Sequence, residues 1–287
     1  MKKVGIIGYG YVGKAFAEFF KNHYDTYVYD VDLNMLMDCI APKLTIAGQE
    51  TINKCDLAVV CVPTPRGENG ECQLDYVEST FEWLNTPLIL LKSTVEIGTT
   101  DRLKEKYGKR IVFSPEYVGE STYFTPYPYD FHKEVVKTPW FTFGGDKVDT
   151  SEMVSFYLPI AGPVKQYTQC SAKEAEMAKY MANVYFSSKI IFMYEMEQIC
   201  HASGIDFNTV RELWLQDNRI NKMHTAVFTD KTHEDPRCFG GKCFPKDTSA
   251  LIEYAKKAGY DPKFLSEVQS SNHRIGELLA DRNDIKE

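Results

Sequence analysis

KVGIIGYGYVGKAFAEFF, Lys3 to Phe20, is the stretch on which the fold turns. Lys3 to Ile7 is a short apolar run suited to a buried strand. Gly8-Tyr9-Gly10-Tyr11-Val12-Gly13 follows at once, and then Ala15, Phe16, Phe19 and Phe20 recur at helical spacing. Thr26 to Tyr29 is β-rich and closes on Asp30. Strand, glycine turn, helix, strand and acid in this order form the dinucleotide-binding fingerprint. Gly8 permits the tight turn, Gly10 lets a pyrophosphate approach the backbone, and Gly13 lets the helix pack on the strand. The helix start, with Tyr11 and Val12, then faces the phosphates. A carboxylate at Asp30 suits ribose hydroxyls and favours NAD over NADP.

The totals are those of an ordinary soluble globular protein. The chain has 287 residues, room for one large or two medium domains. It is 44% hydrophobic and 25% charged, with a net charge of −7 and no long basic run. That balance argues against nucleic acid or an acidic membrane as partner. No apolar run approaches the ~20 residues that span a bilayer. The basic residues Lys2 and Lys3 precede an apolar run that is short and broken by glycine, so no signal peptide is read. The eight cysteines, Cys39, Cys55, Cys61, Cys72, Cys170, Cys200, Cys238 and Cys243, form no CxxC pair. They read as reduced thiols, and a cytoplasmic location follows. There is no internal repeat.

Three further buried-type strands end in polar turns. Leu57 to Val62 runs into Pro63-Thr64-Pro65, Leu88 to Leu91 into Lys92-Ser93-Thr94, and Arg110 to Phe113 into Ser114-Pro115-Glu116. In open α/β sheets ligands bind beyond the carboxyl ends of strands. Val62 and the turns Pro63-Thr64-Pro65, Lys92-Ser93-Thr94 and Ser114-Pro115-Glu116 are therefore candidates to face a cofactor or a substrate, although Pro and Ser also simply end strands. Val118 to Thr150, rich in aromatics from Tyr123 to Phe131, reads as a long irregular insertion: a lid, a packed loop or a subunit contact.

The second half reads as helical. Ser171 to Ala202 has apolar residues three and four apart, a capping box in Ser171 and Glu174, and a stop at Gly204. Further helices are expected over Asp206 to Leu215, Thr248 to Ala258 and Pro262 to Asp281. The expected division is 1–168 and 169–287. Lys179 and Asn183 share one helix face, either as a surface pair or as a site pair. In FGGKCFPKDTSAL, Phe239 to Leu251, Cys243 could be a nucleophile, a metal ligand or a buried thiol. Two preceding glycines, nearby Lys246 and a following helix start favour thiolate over thiol. A zinc site from His224, His233, Cys238 and Cys243 fits no usual spacing, and no metal is expected.

Taken in order, GYGYVG, CVPTP, LKSTVEIGTT, SPEYVGE, EAEMAKYMANVYFSSKIIFMYEMEQIC and FGGKCFPKD resemble the UDP-glucose/GDP-mannose dehydrogenase family. The resemblance implies an N-terminal Rossmann-type doubly wound sheet followed by an all-helical domain like that of 6-phosphogluconate dehydrogenase. It implies NAD-dependent four-electron oxidation of a nucleotide-sugar primary alcohol to the uronic acid, with UDP-glucose to UDP-glucuronate as default. By resemblance Cys243 is the nucleophile, passing through a thiohemiacetal and a thioester. Lys179 and Asn183 polarise the reacting oxygen, Asp247 interacts with that lysine, Glu116 and Glu120 are paired acids, and Thr94 lies near the nicotinamide. Arg219, Gly240 and Lys246 join Lys179 and Asn183 in holding substrate, and a homodimer through the helices is implied. Family members usually carry a second Rossmann-like domain that grips the nucleotide, and the resemblance covers the chain without it. The stretch Tyr123 to Phe131 and the loop Phe228 to Pro236 are candidates to replace part of that grip. Two other readings compete: a single-step dehydrogenase of the hydroxyacid type, and a non-catalytic NAD- or sugar-binding remnant.

Overall fold

The structure is a computed structural model that describes residues 1–37, 39, 44–118, 134–227 and 239–284. It divides into two compact units. The first holds residues 1–65 and the described part of 72–179, and the second holds residues 66–71 and the described part of 180–287.

The first unit alternates strands and helices: β1 (Lys3–Ile7), α1 (Tyr11–Phe20), β2 (Asp25–Tyr29), α2 (Leu33–Leu36), β3 (Leu44–Ile46), α3 (Gln49–Ile52), β4 (Leu57–Val60), α4 (Asp75–Trp83), β5 (Ile89–Leu91), α5 (Thr99–Tyr107), β6 (Ile111–Phe113), β7 (Trp140–Gly144), α6 (Lys147–Ala161) and β8 (Gln166–Cys170). The strands form one sheet in the order β3-β2-β1-β4-β5-β6-β7-β8. All pairs are parallel except β6 with β7.

Register explains why this sheet is buried on both sides. Ile6, Val59, Leu90 and Val112 stand side by side across β1, β4, β5 and β6. They face a core built with Phe16, Phe19 and Phe20 of α1 and Phe156 and Tyr157 of α6. The next row, Ile7, Val60, Leu91 and Phe113, points the other way. It meets Ile52, Val77, Phe81 and Leu103 from α3, α4 and α5. Each such side chain is worth roughly 1.5–3 kcal/mol when fully buried. A one-residue slip would exchange the two rows. The doubly wound expectation therefore holds.

The irregular reading of Val118 to Thr150 is corrected in part. Residues 119–133, with the aromatic stretch Tyr123 to Phe131, lie outside the described residues. Beyond them, Trp140–Gly144 is a strand and Lys147 opens a helix. Phe141 and Phe143 are buried while Trp140 and Thr142 are half-buried, a period-two pattern that the neighbouring prolines obscured.

In the second unit, α7 (Ala172–Ala202) enters from the first and continues, followed by α8 (Phe207–Trp214), α9 (Phe244–Lys257) and α10 (Lys263–Asp284). The capping box forms: Ser171 N–H and Oγ donate to Glu174 Oε2 at 2.8 and 2.7 Å, and Glu174 N–H returns to Ser171 Oγ. Ile190, Ile191 and Tyr194 of α7 pack with Phe239 and with Val268 and Ile275 of α10. Asn272, buried on α10, accepts from the Phe239 N–H at 2.7 Å and donates to its carbonyl at 3.1 Å. This two-point clamp fixes the entry to the FGGKC segment. The helix expected from Thr248 starts four residues earlier, at Phe244, because Pro245 occupies its first turn, where a missing N–H does no harm.

Tyr157 is the most constrained aromatic of the first core. Its ring lies 4.9 Å from those of Phe19, Phe141 and Phe143. Its buried hydroxyl has no hydrogen-bond partner among the described residues. Tyr157→Phe should therefore raise stability by about 1 kcal/mol, read as a higher Tm in calorimetry. A drop in Tm would show that the hydroxyl is satisfied in solution.

Candidate functional site

The glycine turn behaves as three different constraints. Gly8 has a φ of 85°, in the left-handed region, and a Cβ there would sit 2.7 Å from the Cys61 carbonyl oxygen. A Cβ on Gly13 would fall 1.8 Å from the Gly8 oxygen. A Cβ on Gly10 would meet nothing within 4 Å. Gly8 and Gly13 are thus fixed by the fold itself, whereas Gly10 opens onto free space. Gly10 caps α1 without a side chain, and no acid stands in the first turn to repel an anion at the helix start beside Tyr11 and Val12. Asp30 steadies the turn: its Oδ2 accepts the Tyr9 N–H at 2.6 Å and its Oδ1 the Asp32 N–H at 2.9 Å. These residues fit a dinucleotide, with the pyrophosphate at Gly10 and the helix start and a ribose at Asp30.

The turns after β4, β5 and β6 are tied to one another. Thr64 Oγ1 donates to the Thr94 carbonyl at 2.7 Å, and Ser93 Oγ to the Val62 carbonyl at 2.7 Å, just before Pro63. Lys92, buried at the end of β5, donates to Ser114 Oγ at 3.0 Å and to the Pro115 carbonyl at 2.9 Å. Lys179 reaches the same turn from α7. Its Nζ donates to the Glu116 carbonyl at 2.7 Å and lies 3.0 Å from Glu116 Oε1. Lys179 is 4% exposed, so the surface-pair reading of this lysine is excluded. Burial pushes the Lys92 ammonium down to about 7, against the opposing pull of Glu116. Glu120 lies outside the described residues.

One turn before Lys179, Glu176 is fully buried. Its carboxylate accepts from the Gly98 N–H at 2.5 Å and from Thr100 N–H and Oγ1 at 2.9 and 2.6 Å. It serves as the missing side-chain cap of α5, and desolvation raises its pKa.

In the second unit, Cys243 is half-buried and occupies the N-cap of α9. Asp247, in the first turn, is 1% exposed. Asn183 Nδ2 donates to its Oδ2 at 2.5 Å and Lys246 Nζ to its Oδ1 at 2.6 Å. Asn183 is thus buried too, facing α9 rather than solvent. Ser187 Oγ donates to the Asn183 carbonyl and accepts from Thr248 Oγ1, both at 3.1 Å, locking α7 to α9 at this level. Gly240 is half-buried, and Gly241 after it takes a positive φ. Arg219 is elsewhere: its side chain is 89% exposed and forks onto Asp217. His224 has a φ of 57°, and its ring packs 4.6 Å from Phe186 and 5.3 Å from Phe244. Burial takes its pKa down to about 4. Among the described residues, no three His, Cys, Asp or Glu side chains converge as a metal group, and the seven described cysteines are free thiols. His233, Cys238 and the loop Phe228 to Pro236 lie outside the described residues.

Two family models match the sequence: the NAD binding domain of the UDP-glucose/GDP-mannose dehydrogenase family over residues 22–129, and its central domain over residues 173–274. The chain belongs to the UDP-glucose/GDP-mannose dehydrogenase family. A curated relative, the UDP-glucose 6-dehydrogenase of Pseudomonas aeruginosa, is 28% identical over 262 residues, covering 85% of this chain and 54% of its own. The chain spans about half the length of this relative. Among solved structures, a UDP-glucose dehydrogenase from Pyrobaculum islandicum superposes with a TM-score of 0.78 at 23% identity, covering 97% of this chain and 68% of that one. The Mycobacterium tuberculosis 3-hydroxyisobutyrate dehydrogenase does so with a TM-score of 0.72 at 15% identity, covering 98% and 94%. That last likeness is one of fold, and it bears out the expected plan of a Rossmann-type sheet followed by helices.

Sequence reasoning marked Lys92 only as part of its turn and passed over Glu176 in this dehydrogenase-family chain. The signal for Lys92 was available: a cation set directly on a buried strand's end. Glu176, three residues before Lys179, gave none, because its partners come from the distant start of α5. The glycines yield a clean contrast. Gly13→Ala should destabilise the fold, lowering Tm by several degrees. Gly10→Ala should leave Tm unchanged yet weaken NAD binding at least about tenfold, about 1.4 kcal/mol, by calorimetric titration. Unchanged NAD affinity in Gly10→Ala would contradict the placement of the pyrophosphate.

Proposed function

We propose that the protein is an NAD-dependent nucleotide-sugar dehydrogenase that carries a primary alcohol to the carboxylic acid, with UDP-glucose as the first substrate to test. The observation that carries this reading is Cys243 at the N-cap of α9, one turn from the buried Asp247, with Asn183 and Lys246 bound to that carboxylate. A helix N-cap is where free N–H groups stabilise negative charge on a nucleophile. Membership of the dehydrogenase family and the fit of the Gly10 turn to a dinucleotide support the same reading.

NAD, when bound, supplies the hydride acceptor for each of two successive oxidations. The first oxidation leaves an aldehyde. Cys243 Sγ adds to its carbonyl carbon, and the carbonyl oxygen takes a proton, giving a thiohemiacetal. Loss of hydride from that carbon and of the hydroxyl proton gives a thioester. Water then breaks the carbon–sulfur bond, releasing the acid and the Cys243 thiol. Capture on sulfur keeps the reactive aldehyde from escaping between the oxidations. Lys179 and Asn183 would stabilise the oxygen charge that develops, and Asp247 would hold Asn183 and Lys246 in place. Glu116 and Glu120 would move protons during hydrolysis, Thr94 would lie near the nicotinamide, and Gly240 and Arg219 would contact the nucleotide sugar.

A homodimer belongs to this proposal. Met181, Tyr185, Phe192 and Ile199 form an exposed apolar series along α7, with exposed Leu213 on α8. Among the described residues no helix is long and apolar enough to cross a membrane.

The test is NADH formation across UDP-glucose, UDP-galactose, UDP-N-acetyl sugars and GDP-mannose. Two NADH per acid are expected, and Cys243→Ser should cut acid formation by about a thousandfold or more. One NADH per product would point to a single oxidation of the hydroxyacid type. NAD binding without turnover of any sugar would point to a binding protein.

A further inference from the structure

Lys92 stands apart from the residues assigned above, yet it is the most enclosed cation in the first unit's polar turns. It is 2% exposed at the end of β5, directly before Ser93 and Thr94. Its Nζ lies 4.3 Å above the Phe16 ring of α1. Two of its protons are taken by Ser114 Oγ and the Pro115 carbonyl, the two residues before Glu116. The charged and titratable groups that face it are Glu116 from the turn after β6, Lys179 from α7 and Cys61 from the end of β4. Glu116 therefore has one buried lysine at its carboxylate and another behind its backbone. With both lysines protonated, Lys92 and Lys179 repel each other in a buried setting, which is costly to hold.

We infer that Lys92 is a positioning residue that fixes the Ser114-Pro115-Glu116 turn and supplies the Glu116–Lys179 pair with a positive charge it can shed. The inference rests on the dehydrogenase reading for the roles of Glu116 and Lys179. Lys92 touches neither substrate nor cofactor in it. Its protonated form draws the turn toward β5 and disfavours a second positive charge at Lys179. Its neutral form keeps two N–H donors for Ser114 Oγ and the Pro115 carbonyl and releases that repulsion.

Stability against pH reads the charge without any need for turnover. Below about pH 7 Lys92 is protonated in both the folded and the unfolded chain. Between about 7 and its ordinary value of 10.5, the unfolded chain binds more proton, so stability rises with pH. Tm should therefore be measured from pH 6 to pH 10 for the wild type, Lys92→Met and Lys92→Gln. The wild-type Tm should climb relative to both variants as pH rises above 7. A constant offset would overturn the proposal. The second measurement is kcat against pH with the best nucleotide sugar. The wild type should show an inflection near 7 that both variants lack. Lys92→Met should lose at least about tenfold in kcat. Lys92→Gln should recover part of that, because its amide can still donate to the turn. KM for NAD should stay within about twofold. A Lys92→Met profile superposable on the wild type would overturn the proposal even if the Tm result held. Absence of turnover in the wild type would sink the dehydrogenase reading instead. A crystal structure of Lys92→Met would then decide, with an unmoved Glu116 turn counting against Lys92 as its anchor.

Discussion

Burial of the sheet on both faces is the constraint from which the polar architecture of the first unit follows. All four residues of β4 and all three of β5 and β6 are fully buried. A strand in that position has no side on which an unpaired polar side chain is tolerated. Polar chemistry is thus pushed to the first residues past the strand ends, where the sheet stops shielding them from solvent or ligand. Asp30, Thr64, Ser93, Thr94, Ser114 and Glu116 all stand there. Thr64 and Ser93 donate to backbone carbonyls of neighbouring turns and Lys92 reaches Ser114 and Pro115, so the ends of β4, β5 and β6 are tied to one another.

The helical unit obeys a different rule. Apart from Thr225, its buried polar residues sit within helices, so their backbone groups are already paired and only side chains need partners. Asn183, Ser187, Asp247 and Thr248 satisfy one another between α7 and α9. Such a network specifies one rotation of α9 against α7, because a turned helix would leave several buried polar groups unpaired at about 1–3 kcal/mol each. The rotation it selects puts Asp247 inward and leaves Cys243, one turn earlier, half-exposed.

What could be read in the sequence was what depends on local pattern. The β1–α1–β2 unit announces itself through period, glycine placement and a terminal acid, and two of its glycines, Gly8 and Gly13, meet a steric constraint of the fold. The start of α7 was legible because a capping box joins residues only three apart. By contrast, β7 was hidden: a five-residue strand between prolines and aromatics carries too short an alternation to stand out. The start of α9 was hidden by Pro245, which breaks a helix interior but suits a first turn. Spacing alone favours a surface place for Lys179, since helical spacing gives a face and not its surroundings. Only the return of Glu116, sixty-three positions away, makes it a buried pair.

Stability alone does not account for the charges kept inside this molecule. Glu116 is held by Lys179, and Asp247 by Lys246, each pair with side chains about a tenth exposed or less. Well-packed apolar residues in place of a buried ion pair are often neutral or stabilising by roughly 1–4 kcal/mol. Adding Lys92 beside the first pair worsens the balance, since its desolvation is not matched by a carboxylate of its own. The second pair is built in the opposite sense, with a neutral amide from Asn183 completing the coordination of Asp247. One cluster thus leans toward excess positive charge and the other is closer to neutral. On the proposed dehydrogenase reading, groups that would move protons are served by a buried charge that can change, whereas a scaffold gains nothing from it. The retained expense of Lys92 is the physical reason to place it with the chemistry rather than with the fold.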